Sequence, residues 1–398
     1  LKITIRLFIL LSFCCILSCA DKAESDWTIL VYMAADNGLN FAALDDIQEM
    51  TMADFSEDIN VIVQIDESVL SDDPTAKRYK VSAGQLIEIA NLGEIDSGDY
   101  NTLTAFTNWG FDNYQSRRKA LFIWGHGNGW YHAYNKFLPD NQSSSAINIP
   151  AGEFAAALDN MKAHLDILIL DACNMMTIEV VSEIYQFTDY IIGAETIINT
   201  NGFPYDEVLT IWENYTTVQV LVDELALVFA NSYMPSGSQN PYSDQFEISI
   251  AAVQTSNFPA LQSKITEFAD LVENGNHYQS LNTARNECAI VFNDFSSDVD
   301  LKDLFTRLAA ISADEDLRSL SQEILLLIDN VFTSYYYIDL GDPGFTQNYP
   351  AGTATIWFPV SEQIYQNVLP QYLQLDFATT GWQNVFGFNS SLFASGKK

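Results

Sequence analysis

Basic residues are scarce in this chain. Only 18 Lys and Arg stand against 52 Asp and Glu among 398 residues, a formal net charge of −34. Affinity for phosphate backbones comes largely from clustered Lys and Arg, and no such cluster occurs, so DNA and RNA are excluded as partners. The acidity fits a solvated, soluble surface; it also suits cationic substrates or Ca²⁺ wherever a local site exists. Histidine is scarcer still. The four residues include His132, His164 and His277, which are scattered, and no H-E-x-x-H pair occurs, which excludes the common zinc peptidases. No G-x-S-x-G elbow, Walker loop or dinucleotide fingerprint is present. No apolar run reaches the roughly 18 residues that suggest a membrane-spanning helix.

Cysteine is also sparse, with five residues. Three of them, Cys14, Cys15 and Cys19, fall in an N-terminal segment with the layout of an export signal. Lys2 and Arg6 precede a short apolar run from Leu7 to Cys19. Ile16-Leu17-Ser18-Cys19 resembles a bacterial lipobox, in which the cysteine is lipidated. Residues 1–18 are therefore expected to be a lipoprotein signal and 19–26 a polar tether. Acyl chains on Cys19 would hold the protein to a membrane, at the periplasmic side or cell surface, with no spanning helix. The alternative is an ordinary cleaved signal. Cys173 and Cys288 remain, too few for a disulfide framework in a domain of this size.

From Trp27 onward, apolar strand-like runs alternate with amphipathic helices. Strands are predicted at 27–33, 59–65, 119–124, 165–170 and 190–194, and a hairpin pairs 78–81 with 86–90. Helices are predicted at 39–52, 102–114, 151–163 and 177–187. Continuous apolar strands alternating with helices predict an α/β fold, a mostly parallel sheet with helices on both faces. The turn-rich span Pro235 to Asp244 divides the chain into 27–235 and a C-terminal α/β accessory region, 245–398. That region is predicted to hold strands at 247–253, 335–340 and 353–358 and helices at 260–273, 301–313 and 319–331.

In such sheets ligands bind beyond the C-terminal strand ends. Two strand ends here carry chemistry. His126 follows one strand in Gly125-His126-Gly127-Asn128-Gly129, where glycines permit close approach of a substrate. Cys173 follows another in Asp171-Ala172-Cys173-Asn174, with a helix expected to open behind it and stabilise the thiolate. A lone His or Cys is more often structural, and Cys288 is read that way. His126 and Cys173 are separated by 47 residues, His first. The caspase arrangement has the same order and a spacing of roughly 50. Adjacent strands would bring the imidazole to the thiol, with the N–H groups of Gly127 and Cys173 as an oxyanion hole.

These segments resemble the clostripain-like cysteine peptidases, relatives of caspases, legumains and gingipains. The likeness runs through WTILVYMAADNGLN, INVIVQID, ALFIWGHGNGW, LDILILDACNMMTIEVVSEI and AETIINTNGFPYDEVL, and more weakly to ATIWFP. It implies a caspase-like fold and a cysteine endopeptidase with Cys173 as nucleophile and His126 as acid towards the leaving amine. It also implies cleavage after Arg or Lys, using acids at two substrate-binding positions. Asp171 fills the first. The second is Asn201, a neutral amide where the family has an acid; nearby Asp206 reads better as a first-turn helix residue. Some relatives self-process between the His and Cys strands, where Leu138 to Ile149 reads as a polar loop and Lys136 is the one basic residue close to it. No cofactor is implied, although some relatives need Ca²⁺, which the acidic stretch Glu94 to Asp99 could bind. The expected partner is a peptide or protein substrate. The competing reading is a non-catalytic surface lipoprotein that keeps the fold and binds peptides or a protein.

Overall fold

A computed structural model describes residues 25–131, 137–240, 247–288, 298–339 and 352–388. The signal segment, Cys19 and most of the tether lie outside the described residues, as do His132 and Lys136.

The strands are β1 (Ser25–Ala35), β2 (Ile59–Glu67), β3 (Ala76–Ser82), β4 (Gln85–Gly93), β5 (Ser116–Trp124), β6 (Phe137–Asp140), β7 (Ser145–Ile147), β8 (Leu165–Asp171), β9 (Thr188–Gly193), β10 (Glu247–Gln254), β11 (Val299–Asp300), β12 (Phe332–Asp339) and β13 (Thr355–Ile356). The helices are α1 (Asn40–Met52), α2 (Tyr100–Asn113), α3 (Glu153–Asp159), α4 (Ile178–Ile184), α5 (Tyr205–Ile211), α6 (Val218–Ser232), α7 (Phe258–Gly275), α8 (Tyr278–Glu287), α9 (Leu301–Ile311), α10 (Glu315–Val331) and α11 (Glu362–Tyr372).

Nine strands form one sheet in the order β12-β10-β9-β8-β5-β1-β2-β3-β4. The five from β9 to β2 are parallel, and both edges are antiparallel. The expected caspase-like, mostly parallel sheet is therefore present. Its strands read as unbroken apolar runs because both faces are covered. In β1, Ile29, Val31 and Met33 pack in a layer with α1, α5 and α6. Leu30, Tyr32 and Ala34 face the opposite layer, with α2, α3, α4 and the C-terminal helices. Each such aliphatic side chain contributes roughly 1.5–3 kcal/mol by leaving water.

Several boundaries differ from expectation. Ser25 and Asp26, assigned to the tether, already belong to β1, and Ser25 is in register with Ser116. The helix expected to end at Ala163 stops at Asp159, and the strand expected over 353–358 shrinks to the two residues of β13. The division at 235–245 does not divide the sheet: β10 pairs with β9, and β12 pairs with β10. Turn-rich composition marks a connection, and long-range antiparallel pairing carries the sheet across it.

Candidate active site

Parallel pairing sets the geometry of the site. Trp124 at the end of β5 is in register with Asp171 at the end of β8. His126 and Cys173 each lie two residues beyond that pair, so two neighbouring strands deliver both groups to one edge of the sheet. The turns are then bound together. The Gly125 N–H donates to the Asp171 carbonyl at 3.2 Å. A Cβ at Gly127 would lie 2.6 Å from the Cys173 carbonyl, so only glycine fits against this turn.

His126 and Cys173 line one cavity of about 270 Å³, together with Leu39, Ile197, Ile198 and Gly202. Both side chains are partly exposed there. Burial pushes the His126 imidazole below its ordinary value. Burial also pushes the Cys173 thiol up, and its sulfur lies 3.6 Å from the Ile198 carbonyl, an acceptor that only a protonated thiol can use. Both shifts favour a neutral imidazole and a neutral thiol over an ion pair.

The expected helix-terminus effect on Cys173 is absent. α4 begins at Ile178, capped by the Thr177 hydroxyl accepting from the Val180 N–H. The helix field falls off within its first turn, and Cys173 lies beyond it. The chain from 174 to 176 instead runs beside the continuation of β9: the Asn174 N–H donates to Thr196 and the Met176 N–H to Ala194, both at 2.9 Å. Asn174 takes a left-handed backbone, φ 58°, to make this turn, and its side-chain amide donates to the Glu195 carbonyl. Cys173 is held by strand-like pairing on its C-terminal side.

Beneath the thiol, Asp171 is buried and accepts from the Tyr205 hydroxyl at 2.8 Å. Burial pushes its carboxyl up to about 7. A second acid comes from α1. Asp46 accepts from the Trp124 indole N–H at 2.6 Å, and burial, then the neighbouring Asp171 carboxyl, raise it well above the usual range. The two meet at Gly202: a Cβ there would lie 3.1 Å from Asp46 Oδ2 and 3.4 Å from Asp171 Oδ2, and the residue has φ 61°. Asn201 is turned away from this point. It is exposed, donates to the Gln239 carbonyl at 3.1 Å, and lines a larger adjoining cavity with Asp45, Asp46 and Glu49. Asp206 sits in the first turn of α5.

A profile of the Clostripain family matches residues 31–385. The chain belongs to the clostripain family. Clostripain of Hathewaya histolytica is 28% identical over 219 residues, which cover 46% of this chain and 41% of that protein. The chain thus aligns with less than half of this curated relative. A secreted C11 cysteine protease from Bacteroides thetaiotaomicron, solved with an irreversible peptide inhibitor, has TM-score 0.66 at 19% identity, covering 89% of this chain and 99% of its own. An inactive zymogen C11 protease from Parabacteroides distasonis has TM-score 0.67 at 19% identity, covering 90% and 98%. At these identities the structures establish a shared fold.

Within this clostripain-family site, sequence reasoning missed Asp46. Its signal was an acid on the buried stripe of α1, which is otherwise Asn40, Ala43, Ile47 and Met50. The stretch 138–149 also differs from the polar loop expected for self-processing. β6 and β7 pair across it, Leu138, Ile147 and Ile149 are buried, and only 141–144 are exposed. No helix among the described residues is long and apolar enough to cross a membrane.

Proposed function

We propose that this clostripain-family chain is a cysteine endopeptidase in which Cys173 is the nucleophile and His126 the proton carrier. The observation that supports it is the shared cavity: one thiol and one imidazole, each two residues beyond an in-register strand pair. The sulfur attacks the scissile carbonyl while the thiol proton passes to His126. The imidazolium gives that proton to the amine nitrogen as the C–N bond breaks. Water then cleaves the acyl-enzyme, using His126 as base. The N–H groups of Gly127 and Cys173 are assigned to the oxyanion.

The Asp171–Asp46 pair supports a preference for Arg or Lys at the residue before the cut. The Asp171 carboxyl disfavours ionisation of Asp46, and a cationic side chain favours the ionised form of both. Asp46 thereby supplies the second acid that Asn201 does not. We further propose export and lipid anchoring at Cys19, on the strength of the apolar run and the Ile16–Cys19 segment.

The test is labelling by a peptidyl acyloxymethyl ketone with lysine next to the warhead. The reading requires one adduct, on Cys173, lost in Cys173→Ala. Tight peptide binding with neither adduct nor turnover would instead identify a non-catalytic peptide-binding protein.

A further inference from the structure

The two acids beneath Cys173 are held by neutral donors. Asp46 accepts from the Trp124 indole at 2.6 Å, and Asp171 Oδ2 accepts from the Tyr205 hydroxyl at 2.8 Å. Indole and phenol donate a hydrogen bond without bringing a charge. An arginine or lysine in either place would neutralise its acid and repel a cationic substrate side chain. The choice of donor therefore leaves the charge of the carboxylate for the substrate.

Tyr205 is fixed for that contact from two sides. It opens α5 directly after Pro204 and is fully buried. Its ring packs against Phe122 and Phe203, with centroids 5.5 and 6.5 Å away. Its N–H donates to Glu49 of α1 at 3.2 Å, so the backbone is pinned independently of the hydroxyl. Asp171 also receives the Phe203 N–H. The titratable groups that face Asp171 are Asp46 and Glu49 from α1, Cys173 two residues on, Tyr233 beyond α6, and His126 in the same cavity. No Lys or Arg is among them, which leaves the Tyr205 hydroxyl as the side-chain group that favours the ionised form of Asp171.

A second buried tyrosine on the same wall supplies a contrast. Tyr233 donates its hydroxyl to the Gly202 carbonyl at 2.7 Å. It braces the loop through its backbone, whereas Tyr205 bonds to the acid itself.

We propose that Tyr205 is a specificity-determining positioning residue, whose hydroxyl holds the Asp171 carboxylate in place and in its charged form for the Lys or Arg residue before the cut. The inference rests on the reading of Asp171 as a specificity acid and names the group that sustains it. Burial pushes the Asp171 carboxyl up, and the hydroxyl works against that rise because it bonds to the ionised form. Without the hydroxyl the carboxyl keeps its proton to higher pH, and a lysyl side chain meets a neutral partner near neutrality.

The experiment measures labelling of the full chain by lysyl and leucyl acyloxymethyl ketones across pH, in wild type, Tyr205→Phe, Tyr233→Phe and Asp171→Asn. Taking the ratio of the two rates cancels the titration of Cys173 and His126, which both probes share. In Tyr205→Phe the lysyl-over-leucyl ratio near neutral pH is expected to fall about tenfold, the value of one hydrogen bond to a charged group. The midpoint of its rise moves up by roughly one pH unit, the same factor of ten. Tyr233→Phe leaves the midpoint in place. A preference lost in Asp171→Asn and untouched in Tyr205→Phe overturns this inference alone. An Asp171→Asn protein that keeps the preference overturns the specificity reading and this inference with it. An equal shift in Tyr233→Phe also overturns it, because loop packing then sets the midpoint. Should Tyr205→Phe fail to fold, 3-fluorotyrosine placed at position 205 keeps the ring and makes a stronger donor. The midpoint must then move down, and an unchanged midpoint overturns the role of the hydroxyl.

Discussion

Cys173 and Cys288 are the two free thiols of the described residues, and burial raises the pKa of both. Cys288 follows the last turn of α8, donates to the Ala284 carbonyl at 3.3 Å, and is pushed up to about 12. It packs with the apolar core of the C-terminal helices. Cys173 stands partly exposed in a cavity with an imidazole beside it. The two differ in access and company, and burial favours the neutral thiol in both. On the proposed mechanism, reactivity at Cys173 is generated when a substrate arrives and His126 takes the proton, whereas among the described residues no imidazole shares a cavity with Cys288.

The sharpest way to break this comparison is to delete each sulfur. Cys173→Ala is expected to lower kcat by about 10⁴-fold or more, as for removal of other catalytic nucleophiles. Cys288→Ala is expected to leave kcat within about twofold, since a core substitution away from the site acts on stability. Intact-mass analysis after acyloxymethyl ketone treatment reads the same contrast. An adduct on Cys288 would reverse the assignment.

Removing the company while leaving the access comes next. His126→Ala is expected to cost roughly 10²–10⁴-fold in kcat, the range for a general acid–base group. Gly127→Ala adds a methyl 2.6 Å from the Cys173 carbonyl, and a displacement of that size costs on the order of 10²-fold through misalignment. Steady-state kinetics on a lysyl peptide amide measures both. Iodoacetamide, which needs no substrate-induced proton transfer, should react with Cys173 at a rate that keeps rising with pH beyond the ordinary thiol range, because the thiol is raised. A rate already flat at neutral pH would mean a resting ion pair.

Why one thiol was legible in the sequence and its surroundings were not follows from how each feature is encoded. The sheet was readable because its central strands carry apolar residues on both faces, as in Ile167, Leu168, Ile169 and Leu170 of β8. His126 and Cys173 were readable because each follows such a strand within a distinctive turn. α4 begins within a residue of where it was expected, but its field does not reach Cys173, because residues 174–176 separate the sulfur from the cap at Thr177. The Asp46–Asp171 pair was not legible, because its members come from α1 and β8, far apart in sequence, and packing around Gly202, not spacing, brings them together.

Charge near Cys173 gives the next effect. Asp171→Asn should cut the labelling preference for a lysyl over a leucyl warhead by about tenfold, the value of a charge-assisted contact. The same preference should depend on pH in the wild type. Asp171 is pushed up to about 7, so below that pH the carboxyl is protonated and neutral, and above it the carboxylate is available. The lysine of the probe keeps its charge throughout. The lysyl preference therefore grows as pH rises from about 6 to 8, and that growth is blunted in Asp171→Asn. A preference that falls over this range would remove Asp171 from the specificity pocket.

The smallest expected effect comes from Asn201→Asp. The family resemblance places an acid here, yet the side chain is exposed and bonded to the Gln239 carbonyl, on the adjoining cavity. A carboxylate cannot donate to that carbonyl, so the variant exchanges a 3.1 Å hydrogen bond for one charge at a solvated rim. Screened, exposed charges contribute about 0–1 kcal/mol, which limits the gain in lysyl preference to roughly fivefold or less. The gain should fade at high salt, while the effect of the buried Asp171–Asp46 pair persists. If Asn201→Asp instead sharpens the preference more than Asp171→Asn weakens it, the cation sits over residue 201, and Asp46 is a structural acid that anchors Trp124.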